Sequence, residues 1–139
     1  MKGNCELKIM IVDSSATGWQ RVGSLLEGVG GLELTGGNAQ EADPVGAIGR
    51  VKPDILILDV DMPVGRGIGL LRRICGAYAG LAILVFTGAA CPVFRKTCIE
   101  AGATYFFDKA TEFDKVAGAV VSLQQSTHQS PESLNKENM

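Results

Sequence analysis

Apolar residues follow two rhythms along this chain. Short, nearly continuous apolar runs occupy residues 7–12, 55–58, 81–86 and 104–107, each followed by a polar residue and a turn. Such runs predict strands buried on both faces, as in a parallel sheet covered by helices. A weaker run at 32–35 predicts a fifth strand near an edge. Between the runs the spacing changes to threes and fours. Trp19, Val22, Leu25, Leu26 and Val29 mark one face of a helix that stops at Gly30 and Gly31. Val45, Ile48 and Val51 mark a second, with Asp43 as its cap and Pro44 in its first turn. Ile68, Leu71 and Ile74 mark a third, and Val93, Phe94, Thr97, Cys98 and Ala101 a fourth. The fifth carries Phe113, Val116, Ala117 and Val120 along one side, and Thr111 with Asp114 predicts a capping box at its start.

Five strand–helix units in alternation predict an α/β fold, an open parallel sheet with right-handed crossovers and helices on both faces. A closed barrel would need eight such units. At 139 residues the chain is about one domain long. That domain is expected over residues 1–123. The remainder, QQSTHQSPESLNKENM at 124–139, is polar, lacks apolar periodicity and is expected to be a flexible tail. Thirteen basic and fifteen acidic residues leave a formal charge of -2, too small for a global field that attracts nucleic acid or anionic membrane. No apolar run reaches the roughly 20 residues of a membrane span, and the start MKGNCELKIMIVD lacks the pattern of a signal peptide. A cytoplasmic protein is expected. Cys5, Cys75, Cys91 and Cys98 form no CxxC pair and have no histidine at ligand spacing, so reduced and mostly buried thiols are expected.

Open parallel sheets bind ligands beyond the carboxyl ends of their strands, which makes the residue after each strand informative. The first strand ends in Asp13, the third in Asp59, the fourth in Thr87 and the fifth in Asp108 and Lys109. Each has a local reading of its own: Asp13 as a helix cap, Thr87 as a turn residue, Lys109 as a solvated lysine. Together, at one edge, they point elsewhere. Two neighbouring carboxylates repel, and a hard divalent cation such as Mg²⁺ or Mn²⁺ relieves that repulsion through oxygen ligands. Lys109 supplies a point charge for a phosphate, Thr87 a donor to it, and Gly88 the space beside it. The implied chemistry is phosphoryl transfer to a carboxylate.

IMIVD at 9–13, PDILILDVDMP at 53–63, ILVFTG at 83–88 and AGATYFFDK at 101–109 resemble the receiver domain of two-component response regulators. The resemblance covers residues 7–123 and implies a flavodoxin-like fold with strand order 2-1-3-4-5. It implies a stand-alone, chemotaxis-type receiver in which Asp59 is the phosphoacceptor. Asp13 and Asp59 would be metal-site residues, and Asp61 would lend its backbone carbonyl. Thr87 would be the switch hydroxyl, Phe106 the switch aromatic and Lys109 the family's lysine. The implied partners are a sensor histidine kinase or a histidine phosphotransfer protein and a downstream protein target. The message would leave through the surface of the fourth helix, fifth strand and fifth helix, which also offers a face for homodimerisation. The protein would be no enzyme beyond assisting its own phosphorylation and dephosphorylation.

Three positions depart from the family pattern. Ser14 stands where a second acid is usual, so it would hold metal weakly or through water. Ala110 follows Lys109 where a proline after a cis bond is common, and a trans bond is expected because cis costs about 2.5 to 4 kcal/mol before other residues. Phe106 lacks the hydroxyl a tyrosine would bring. Ser14 keeps open an alternative, a receiver-like module that binds its partner without phosphate. A haloacid-dehalogenase-type phosphatase, with Asp61 as acid and base, is a more remote alternative, because its DxD follows the first strand rather than the third.

Overall fold

A computed structural model describes residues 7–13, 16–38, 43–59, 64–88 and 91–128. Five strands form one parallel sheet: β1 (Leu7–Asp13), β2 (Leu32–Asn38), β3 (Ile55–Leu58), β4 (Ala82–Thr87) and β5 (Tyr105–Asp108). Their order is β2-β1-β3-β4-β5, the flavodoxin-like arrangement expected from the sequence. Five helices alternate with them: α1 (Ala16–Leu26), α2 (Pro44–Val51), α3 (Val64–Ala77), α4 (Pro92–Ala101) and α5 (Lys115–His128). Successive strand residues point to opposite faces, and both faces are covered, which is why the runs read as continuously apolar. One face packs Met10, Val12, Leu56, Leu58, Val85 and Phe106 under α2, α3 and α4. The other packs Ile9, Ile11, Ile57, Leu84, Phe86 and Phe107 under α1 and α5.

Several boundaries fall away from their expected places, each for a local reason. The first helix ends at Leu26 rather than at Gly30. A turn in which the Val29 N–H donates to Leu26 O returns Val29 to the core, so it mimics another helical position. Strand β2 continues past Thr35 through two glycines, because ladder pairing with β1 does not require apolar side chains. In α4, Phe94 and Cys98 define the buried face, and Val93, expected on it, is 75% exposed. No capping box forms at Thr111: α5 begins at Lys115, and the loop before it is organised by Glu112 instead. At its other end α5 runs beyond Leu123 to His128, and the Gln124 side chain donates to Gly30 O at 2.7 Å. The expected cap of α2 is present, with Asp43 Oδ1 accepting from the Gly46 N–H at 2.9 Å.

Of the described cysteines, Cys98 is buried, Cys75 half-buried and Cys91 exposed, all as free thiols. Burial pushes the Cys98 thiol up to about 11. Cys5 and residues 129–139 lie outside the described residues. Among those described, no helix is long and apolar enough to cross a membrane.

Candidate functional site at the carboxyl edge

Parallel pairing places the strand ends together. Val12 stands opposite Leu58, so Asp13 and Asp59 follow from adjacent, paired positions, and the Asp59 N–H donates to Val12 O at 2.9 Å. Thr87 pairs with Asp108, and the Lys109 N–H donates to Thr87 O at 2.9 Å. The carboxyl ends of β1, β3, β4 and β5 therefore bring four of the sequence-predicted residues to one edge. Ser14 and Asp61 lie outside the described residues.

Asp59 is 3% exposed, and Thr87 is fully buried. A buried carboxylate is costly unless it is paired. Here the Lys109 Nζ donates to Asp59 Oδ2 at 2.8 Å, a contact that spans β3 to the end of β5. The ammonium also stands 5.7 Å from the centroid of the Phe86 ring. Gly88, after Thr87, is exposed. The edge thus holds a desolvated carboxylate paired with an ammonium, and a buried hydroxyl. The described oxygens here, the Asp59 carboxylate and the Thr87 hydroxyl, are of the hard type a divalent cation prefers, though among the described residues no cluster of three or more acidic, histidine or cysteine side chains is placed to hold a metal ion.

Phe106 is buried in the core beside Phe94, their rings edge-on at 5.9 Å. Arg95 lies over the outer face of the Phe106 ring, 4.8 Å from its centroid, and donates to the Phe106 carbonyl at 3.0 Å. The same guanidinium pairs with Glu112 at 2.7 Å. Glu112 Oε1 also accepts the Asp108 N–H at 3.0 Å, while the Glu112 N–H returns to Asp108 O at 2.8 Å. The Asp108 N–H, with Arg95 and Lys115, holds the Glu112 carboxyl below the usual carboxylate range. Sequence reasoning missed both Arg95 and Glu112. The one available signal was the four-residue spacing of Asp108 and Glu112; nothing in the chain announces that α4 reaches across to them. The bond between Lys109 and Ala110 is trans, as expected.

Comparisons with known proteins support the same fold. The family model for the response regulator receiver domain matches residues 9–121. Among curated relatives, a protein-glutamate methylesterase/protein-glutamine glutaminase of Treponema pallidum is 29% identical over 78% of this chain and 28% of its own length. One of Vibrio cholerae is 30% identical over 86% of this chain and 32% of its own length. The chain thus spans about a third of the curated relatives it matches. Among solved structures, the isolated REC domain of RcsB from Salmonella enterica serovar Typhimurium with the phosphomimetic BeF3- superposes with a TM-score of 0.78. Its sequence identity is 20%, and the match covers 94% of this chain and 97% of that one. A response regulator from Thermotoga maritima gives a TM-score of 0.75 at 21% identity, covering 86% of this chain and 98% of that one.

Proposed function

The chain belongs to the response regulator receiver family, and from that premise we propose that Asp59 accepts a phosphoryl group from a phosphohistidine on a kinase or phosphotransfer protein. The observation that carries this reading is the buried Asp59 carboxylate paired at 2.8 Å with Lys109 at the carboxyl edge of the sheet. An Asp59 oxygen attacks phosphorus, the new O–P bond forms, and the P–N bond breaks with its electron pair going to the departing imidazole. Lys109, released from its pairing with the free carboxylate, follows the charge onto the phosphoryl oxygens, and the Thr87 hydroxyl donates to them. Asp13, Asp59 and the Asp61 carbonyl are the groups that would hold Mg²⁺ or Mn²⁺, which when bound supplies charge neutralisation at the transferring phosphoryl group.

The acyl phosphate reaches the rest of the molecule by favouring one of two packings. Movement of Thr87 toward the phosphoryl group would change the room next to β5, where Phe106 now packs inward against Phe94. The face formed by α4, β5 and α5 is the surface so altered. It carries Val93 and Ile99, both exposed, and suits a downstream protein target. A cytoplasmic location fits a partner kinase that presents its phosphohistidine there. The departure at Ser14 favours a second reading, a module that binds its target without phosphate.

Incubation with Mg²⁺ and acetyl phosphate, followed by intact-mass measurement, separates the two. A single phosphate adduct on the wild type, absent from Asp59→Asn, is the expected result. No adduct on the wild type, with acetyl phosphate or with a cognate kinase, would leave the binding module as the better account.

A further inference from the structure

Lys109 is carried by a short loop between β5 and α5, and that loop is held from outside by residues with no place in the mechanism above. Its backbone is fixed at three points: the Lys109 N–H on Thr87 O, the Ala110 N–H on Asp108 Oδ1 at 2.8 Å, and the reciprocal pair between Asp108 and Glu112. The last of these runs through a carboxylate oxygen. Glu112 Oε1 accepts the Asp108 N–H while its main chain returns the bond, closing a ring around the residue that precedes Lys109. The same carboxylate is also gripped from α4. Arg95 does the gripping, with one guanidinium arm on Glu112 at 2.7 Å and the other on the Phe106 carbonyl at 3.0 Å.

We propose that Glu112, clasped by Arg95, is the positioning residue for Lys109. The clasp sets where the ammonium stands relative to Asp59 and ties that placement to α4 and Phe106. Neither side chain touches Asp59, so neither is catalytic. The fork geometry matters as much as the charge, because a lysine at position 95 cannot hold a carbonyl and a carboxylate on two fixed arms. Lys115, the outer partner of Glu112, is a natural control: it is 3.4 Å away and largely exposed, so its removal should be silent. The positioning itself stands on these contacts alone. Its effect on phosphoryl transfer rests on the reading of Asp59 and Lys109 under Proposed function.

Two measurements on the full chain decide it. In the first, NMR of the unphosphorylated protein follows hydrogen exchange at the Lys109 amide and the Lys109 Nζ resonance, assigned with Lys109→Arg. Glu112→Gln and Arg95→Ala are expected to speed exchange at Lys109 about tenfold and to shift the ammonium signal, with the amides of β1 and β3 unchanged. Arg95→Lys should fall between, and Lys115→Ala should match the wild type. In the second, the rate of adduct formation with acetyl phosphate should fall about tenfold in Glu112→Gln and Arg95→Ala, as misplacement of a catalytic group predicts. Lys109 exchange and resonance within twofold of wild type in both variants overturn the positioning, whatever the phosphorylation result. A Lys109 that moves in variants reacting at the wild-type rate overturns the link to catalysis. A Lys109 that moves in a protein whose wild type takes no phosphate upholds the clasp and defeats the phosphoacceptor reading instead.

Discussion

Asp54 and Asp59 flank the same four-residue strand, and each donates its backbone N–H to a carbonyl of β1, to Lys8 O at 2.8 Å and to Val12 O at 2.9 Å. The main chain treats them alike; the side chains part company. The Asp54 carboxylate is exposed and turns back on the backbone, accepting the Lys8 N–H at 2.8 Å. Lys8 in turn sends its ammonium to Val51 O at the end of α2, where a positive charge suits the last carbonyls of a helix. At this amino edge, charge serves to join strands. At the carboxyl edge, Asp59 is desolvated and faces an ammonium that arrives from two strands away. The fold does not need that arrangement to pair β3 with β1, since the backbone already does so. A buried charge whose partner comes from a distant loop, at the edge where parallel sheets bind ligands, is what separates a site from a stitch.

The largest effect should come from breaking the buried pair on one side only. Lys109→Ala leaves Asp59 in its 3% exposed position without this ammonium. The expected loss is about 3 kcal/mol of stability, the lower end for a buried pair because Lys109 itself keeps 19% exposure. Adding Asp59→Asn should recover most of it, because the buried charge itself is then gone. Urea unfolding of the two single variants and the double variant measures the coupling, and additive losses would show that the two groups do not interact.

Asp54→Ala is the matched experiment at the other end of β3. It removes one exposed hydrogen bond and no buried charge, so about 1 kcal/mol is expected. Adduct formation with acetyl phosphate should be unchanged. A change there comparable with that of Lys109→Ala would erase the distinction between the two edges.

These contrasts also mark how far the sequence could be read. The apolar runs revealed five strands and their two-sided burial because a parallel sheet under helices leaves almost no polar position inside a strand. Asp59, Thr87 and Lys109 were legible as a group because strand ends share one edge, a rule of topology that needs no distances. The resemblance of ILILDVDMP and AGATYFFDK to receiver motifs supplied the order of the strands. What stayed hidden depends on contacts between elements far apart in the chain. Val93 has the composition of a core position, yet only the docking of α4 through Phe94 and Cys98 decides which way it faces. Arg95 looks like any exposed helical arginine until β5 is placed beneath it. Thr111 with Asp114 offered a plausible cap, but Glu112 already bonds the Asp108 N–H, and the helix starts later at Lys115.

The smallest effect concerns pH at the carboxyl edge. The Asp108 N–H, foremost, and then Arg95 and Lys115 hold the Glu112 carboxyl below its ordinary range in the folded protein. Its folded value therefore lies below its unfolded one, so the ionised form is the one the fold favours. The resulting stability is present in full above the unfolded carboxylate value and is lost as pH falls through the lowered folded value. Glu112→Gln removes that contribution at every pH. The difference in urea midpoint between wild type and Glu112→Gln should be largest near neutrality and should close as the solution is acidified. Its size should be well under the loss in Lys109→Ala, because Arg95 and Lys115 are 44% and 61% exposed and solvent screens them. A Glu112 gap that stays constant from neutral to acid pH would mean that the carboxyl holds Asp108 equally well without its charge. The grip of Arg95 on that loop would then be geometric rather than electrostatic.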